Sequence, residues 1–219
     1  MRVLSSFILI FAFISIAVAN NNQLLNDTPA NNTAAKNILV VGDSLSAGYG
    51  LKPNQGWVSL LQQRLHQRNP KYNVEYNVVN ASITGDTTQG GLARLPAAIE
   101  RFKPAIVIIE LGGNDGLRGF KLQVTRQNLE SMIQASHQAD AKVLLLGVQL
   151  PANYGRQFRQ KFQQIYLDLA ENQQIASVPF FLEGVAETRE LMLPDGIHPA
   201  AEAQPIILEN VWPALEPLL

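Results

Sequence analysis

From Asn37 to the C-terminus, this sequence predicts an α/β fold: a three-layer α/β/α sandwich built around one parallel sheet. Three observations carry that expectation. Short apolar runs alternate with longer segments of helical period, the pattern of strands buried on both faces and covered by helices. With 47% hydrophobic and 16% charged residues in a chain of 219, there is apolar material for one sizeable core and too little length for a second full domain. Neither an internal repeat nor a low-complexity tract interrupts residues 37–219, which are therefore read as a single domain.

Five strands are expected, at residues 38–41, 76–80, 105–111, 142–148 and a short one near 178–181. Between them, apolar side chains recur at helical spacing: Trp57, Leu60, Leu61 and Leu65; then Leu92, Leu95 and Ile99; then Leu129, Met132 and Ile133; then Phe158, Phe162, Ile165 and Leu169. Ile207, Val211 and Leu215 complete a fifth helix at the C-terminus, each set forming one buried stripe. Right-handed crossovers put helices on both faces, and ligands of such sheets bind beyond the carboxyl ends of the strands.

The N-terminus has another character. Arg2 precedes an apolar run over residues 7–16 and then Ala17-Val18-Ala19, which reads as a signal peptide over residues 1–19. That run is shorter than the roughly 20 residues of a membrane span, so a soluble periplasmic or secreted protein is expected, with a retained N-terminal anchor as the competing reading. Residues 20–36, rich in Asn, Ala and Thr, read as a flexible leader. The chain has no cysteine, which excludes disulfides, a lipoprotein anchor and thiolate chemistry together. A net charge of −1 gives no basis for nucleic-acid binding, and the short cluster Arg64, His66, Arg68 and Lys71 reads as a solvated helix face. Low charge and a small domain point to a monomer.

Covalent catalysis, if present, must use a group other than sulfur. In Val40-Val41-Gly42-Asp43-Ser44-Leu45-Ser46 a buried strand runs into a turn that presents a serine at its carboxyl end. Gly42 is free to take a backbone conformation closed to other residues, and either Asp43 or Ser44 could cap a following helix, so nucleophile and cap both fit this segment. No phosphate-loop or G-x-S-x-G pattern passes through it. A serine needs a base. Of the three histidines, His66 and His137 lie within amphipathic helices, whereas His198 lies in the proline-bracketed loop Leu193-Pro194-Asp195-Gly196-Ile197-His198-Pro199. Asp195, three residues earlier, can fold back to orient the imidazole, although the same pair could merely make a turn. Two glycine-containing strand exits, one with Gly85 and one with Asn114, could aim donors at a developing oxyanion.

Gly-Asp-Ser at 42–44, Gly85, Gly-x-Asn-Asp at 112–115 and Asp-x-x-His at 195–198 stand in the order found in the SGNH or GDSL hydrolases, which residues 37–215 resemble. Longer stretches, NASITGDTTQGGLARLPA, ELGGNDGLRG, LPANYG and DGIHP, are similar to the bacterial periplasmic esterases of that family that act as thioesterases, lysophospholipases and arylesterases. The resemblance implies a flavodoxin-like five-stranded sheet and no metal or organic cofactor. It implies Ser44 as nucleophile, His198 as base, Asp195 as its partner, and the Ser44 and Gly85 N–H groups with the Asn114 side chain as oxyanion hole. Substrates would be aryl esters, acyl-CoA-type thioesters or lysophospholipids, with an acyl chain near Leu111, Leu117, Leu150, Pro151 and Tyr154 and a flap at residues 150–156. A carbohydrate O-deacetylase of the same family and a non-catalytic lipid- or glycan-binding module are the alternatives.

Overall fold

The computed structural model describes residues 35–72 and 74–219. The expected signal peptide and all but the last two residues of the expected leader lie outside the described residues. The sheet opens at β1 (Lys36–Gly42), so the folded chain takes up Lys36, which the sequence reading assigned to the leader.

Strands β1, β2 (Tyr76–Asn80), β3 (Pro104–Glu110), β4 (Lys142–Leu146) and β5 (Ala176–Val178) form one parallel sheet in the order β2-β1-β3-β4-β5. Helices α2 (Trp57–Tyr72) and α7 (Gln204–Leu215) pack together in one layer; α3 (Thr88–Phe102), α5 (Leu122–Gln138) and α6 (Arg156–Gln173) lie side by side in the other. This is the expected three-layer sandwich. The central strands are covered on both sides: residues 38–41 and 107–109 have no solvent exposure. Every residue of the predicted helical stripes is either in the core or packed against it.

The chain leaves β1 for β2 on one side and then crosses to β3 on the other, so the strand order reverses at β1. In open α/β sheets that reversal leaves a crevice at the carboxyl edge. Two short helices fill it, α1 (Ser44–Ala47) after β1 and α4 (Gly113–Leu117) after β3. Four and five residues are too few for a hydrophobic period, so the sequence offers a turn or a capped helix at the first and only a strand exit at the second.

Two further expectations are corrected. The fifth strand spans Ala176–Val178 rather than 178–181, because Pro179 has no N–H for the ladder; Phe180 and Phe181 already belong to the following loop. The basic face of α2 is not simply solvated. Arg64 pairs with Glu209, Arg68 Nη1 lies 3.2 Å from Glu216, and both guanidinium groups cover the Trp212 ring, at 4.9 and 5.0 Å from its centroid. Two arginines thus tie α2 to α7.

Candidate active site

Ser44 is the first residue of α1, directly beyond β1. Asp43 is the cap: its Oδ1 accepts from the Leu45 N–H at 3.1 Å, which leaves the Ser44 hydroxyl free for other work. Gly42 is needed for space rather than for an unusual backbone angle, since a Cβ there would sit 2.8 Å from Glu110 Oε2 and from Ser46. Ser44 Oγ lies 2.9 Å from His198 Nε2, and His198 Nδ1 lies 2.8 Å from Asp195 Oδ2. Because Asp195 only accepts, the imidazole places its proton on Nδ1 and turns a free Nε2 lone pair to the serine.

The Asp195–His198 segment closes on itself. Leu193 N–H donates to the His198 carbonyl at 2.7 Å, Met192 and Pro199 form a bridge, and Asp195 Oδ1 accepts from the Ile197 and His198 N–H groups at 2.9 and 3.0 Å. Desolvation pushes the Asp195 carboxyl up, but those two N–H groups and the imidazole outweigh it and hold the pKa at about 2. Buried Gln204 anchors the far end, donating to the carbonyls of Pro199 and Ala200 and accepting from the Trp57 N–H at 3.0 Å. On the outer side, the Tyr49 ring lies over the imidazole with centroids 4.3 Å apart. Gly50, at φ 74°, brings the Tyr49 turn so close to Leu193 that a Cβ would sit 2.5 Å from its Cδ1. Neither Tyr49 nor Gln204 was expected from the sequence; nothing in their spacing marks them.

Gly85 occupies a left-handed turn at φ 78°, fixed by Arg118, whose Nη2 donates to the Gly85 carbonyl at 3.0 Å. Among the described residues neither the Ser44 nor the Gly85 N–H has a protein acceptor. Asn114 and Asp115 part company: Asn114 faces the site, while buried Asp115 accepts from the Thr88 N–H at 2.9 Å and from the Thr88 hydroxyl, joining α4 to the start of α3. Asn114 Nδ2 donates to Asp43 Oδ2 at 3.0 Å. Behind them Glu110 is fully buried, its Oε2 accepting from the Ser46 hydroxyl at 2.7 Å and from the Asp43 N–H at 3.3 Å. Burial raises the Asp43 pKa to about 6; burial first, then the Asp43 charge, drives that of Glu110 well above the usual range.

A groove of about 510 Å³ leads from Ser44 and His198 across the ends of β3, β4 and β5. Leu117, Leu150 and Pro151 line it, together with Val148, Phe180, Leu182, Ala186, Met192 and Ile197. Leu111 does not: it is fully buried, its side chain filling the space that Gly91 leaves in α3. Tyr154 stands behind the groove, its hydroxyl donating to the Leu117 carbonyl at 2.9 Å, and Arg159 Nε holds the Leu150 carbonyl at 2.7 Å. The contribution of the loop after β5 was missed because Phe180 and Phe181 were read as strand. The run Phe-Phe-Leu after a proline was the available signal.

The sequence profile of the GDSL-like lipase/acylhydrolase family matches residues 40–205, from the end of β1 to the start of α7. The chain belongs to that family. Among its relatives, esterase TesA of Pseudomonas aeruginosa is 56% identical over 186 residues, 85% of this chain and 90% of the esterase. Thioesterase 1/protease 1/lysophospholipase L1 of Escherichia coli K12 is 46% identical over 186 residues, 85% of this chain and 86% of that protein. A crystal structure of TesA superposes with a TM-score of 0.80 at 56% identity, covering 84% of this chain and all of the other. Family members are acyl hydrolases, and here the four sequence blocks quoted above converge on one edge of the GDSL sheet.

Proposed function

We propose that the protein hydrolyses acyl esters and thioesters through an acyl-enzyme on Ser44, with a fatty acyl chain in the groove; aryl esters, acyl-CoA-type thioesters and lysophospholipids are the substrate classes. The observation that carries this reading is the unbroken hydrogen-bonded series Ser44, His198, Asp195 at the mouth of an apolar groove. His198 Nε2 takes the Ser44 proton as Oγ attacks the carbonyl carbon, and Asp195 stabilises the imidazolium that results. The carbonyl oxygen becomes an oxyanion held by the Ser44 and Gly85 N–H groups and the Asn114 amide. His198 then returns the proton to the departing alkoxide or thiolate. Water, deprotonated by the same imidazole, attacks the acyl-enzyme; the acyl–Oγ bond breaks, His198 returns the proton to Ser44 Oγ, and the acid is freed.

The groove supports the fatty-acyl reading. An acetyl group fills little of a channel lined by Leu117, Val148, Leu150, Phe180 and Leu182, which favours fatty acyl chains over the sugar-bound acetyl of a deacetylase. A binding module has no use for an oriented serine–histidine pair. The Arg2-to-Ala19 pattern supports a periplasmic or secreted location, and within the described residues no helix is long and apolar enough to cross a membrane.

The test is hydrolysis of p-nitrophenyl esters from acetyl to palmitoyl by the wild type and by Ser44→Ala. The expected result is an optimum at medium or long chains and a loss of several orders of magnitude in the variant. Equal rates for the two proteins would end the serine mechanism, and an optimum at acetyl would favour the deacetylase.

A further inference from the structure

Asn114 has two amide hydrogens. One is given to Asp43 Oδ2 at 3.0 Å, and no protein acceptor among the described residues takes the other. A carboxylate only accepts, so Asp43 admits the nitrogen end of the amide and rejects the oxygen end. A flipped amide would set Oδ1 against Asp43 and turn a carbonyl dipole toward the substrate oxygen, repelling the charge that forms there. We propose that Asp43 is a positioning residue for hydrolysis, holding the Asn114 amide in the one orientation that points an N–H at the oxyanion. This rests on the oxyanion-hole reading of Asn114 given above.

Asp43 is built for two simultaneous tasks. Its Oδ1 caps α1 through the Leu45 N–H while its Oδ2 holds Asn114, so one carboxylate aligns the nucleophile's helix and the oxyanion donor together. It is 2% exposed, which keeps water from competing for either oxygen. Glu110 completes the device. Its Oε2 accepts from the Asp43 N–H and the Ser46 hydroxyl, while its Oε1 is buried without a hydrogen-bond partner among the described residues, so an ionised Glu110 would leave part of its charge unmet. Two ionised carboxylates this close and this deeply buried would repel each other, so the pair carries one charge, and only Asp43 has an amide that needs it.

The test is a double-mutant cycle of Asp43→Asn and Asn114→Ala, read as kcat and KM on a medium-chain p-nitrophenyl ester. A carboxamide has one acceptor oxygen and cannot serve Leu45 and Asn114 together. Asp43→Ser keeps a helix-capping oxygen but is too short to reach Asn114, and it repeats the cycle if Asp43→Asn fails to fold. Either variant is expected to lower kcat about 10- to 100-fold with KM changed less than about threefold, and to have little further effect once Asn114 is Ala. Equal losses in both backgrounds, or an unchanged kcat in the singles, would overturn the proposal. A Ser44→Ala protein as active as the wild type would instead overturn the serine mechanism beneath it.

Discussion

The Tyr49 ring covers one face of the His198 imidazole, with ring centroids 4.3 Å apart and planes tilted by 37°. Tyr49 is itself 48% exposed, so the tyrosine forms the outer wall of the seat of His198. An aromatic pair of this kind contributes about 0.5–1.5 kcal/mol, equivalent to a factor of about 2 to 12 in rate if it is spent on orienting the base. Tyr49→Ala is expected to lower kcat within that range while Tyr49→Phe retains activity. Steady-state kinetics of the two variants checks it, and equal effects would point to the hydroxyl instead of the ring.

Asp195 fixes the tautomer of His198, so Asp195→Asn should lower kcat by about 10³- to 10⁴-fold without unfolding the protein. With its pKa held at about 2, below the ordinary 3.8, the carboxylate contributes stability that is present above pH 3.8 and is lost as pH falls toward 2. Asp195 therefore stays ionised throughout the acid limb of a kcat/KM profile. That limb should lie well above pH 2, which a pH–rate profile from 3 to 9 would show.

Ala186 lines the groove and is solvent-exposed, whereas Leu111 is fully buried and does not line it. Ala186→Trp should shift the chain-length optimum toward shorter acyl groups with little change in Tm. Leu111→Ala should do the opposite, costing about 2–5 kcal/mol of stability and leaving the optimum in place. Ester-series kinetics combined with thermal melts separate the two.

Glu110 is fully buried, and its pKa lies well above the 4.5 of an ordinary glutamate, chiefly because burial penalises the charged form. Above pH 4.5 the unfolded chain releases a proton that the folded chain keeps, so stability declines as pH rises, by up to about 1.4 kcal/mol per pH unit for that one proton. Glu110→Gln removes the titration and should flatten this decline. Tm measured from pH 5 to 9 for both proteins would show it; parallel curves would mean that Glu110 is ionised in the fold.

The frame of this protein was legible because its strands and long helices carry period. Residues 38–41 and 106–109 are unbroken apolar runs, and Phe162, Ile165 and Leu169 keep helical spacing to the core. Ser44 could be found because it follows such a strand directly, and His198 because it stands in a proline-bracketed loop with Asp195 three residues before it. The rest had no period to read. The helices that hold Ser44 and Asn114 are four and five residues long, Gln204 acts through its amide across 147 positions to Trp57, and Leu111 continues a strand's hydrophobicity into the core where a groove residue was expected. Arg64 and Arg68 looked like surface charge because the acidic and aromatic partners that claim them lie about 145 residues away.

His198 and Asp195 stand three residues apart, inside a loop whose ends are already joined by the Leu193–His198 hydrogen bond and the Met192–Pro199 bridge. Of the two alignments that a serine, a histidine and an aspartate require, one is therefore settled by local chain geometry, at the low entropic cost of closing a short loop. Only the 154-residue separation between Ser44 and His198 must be brought together by the tertiary fold. A loosening between this loop and its seat on Ser44 and the Tyr49 turn would disconnect the serine from a histidine–aspartate pair that stays assembled.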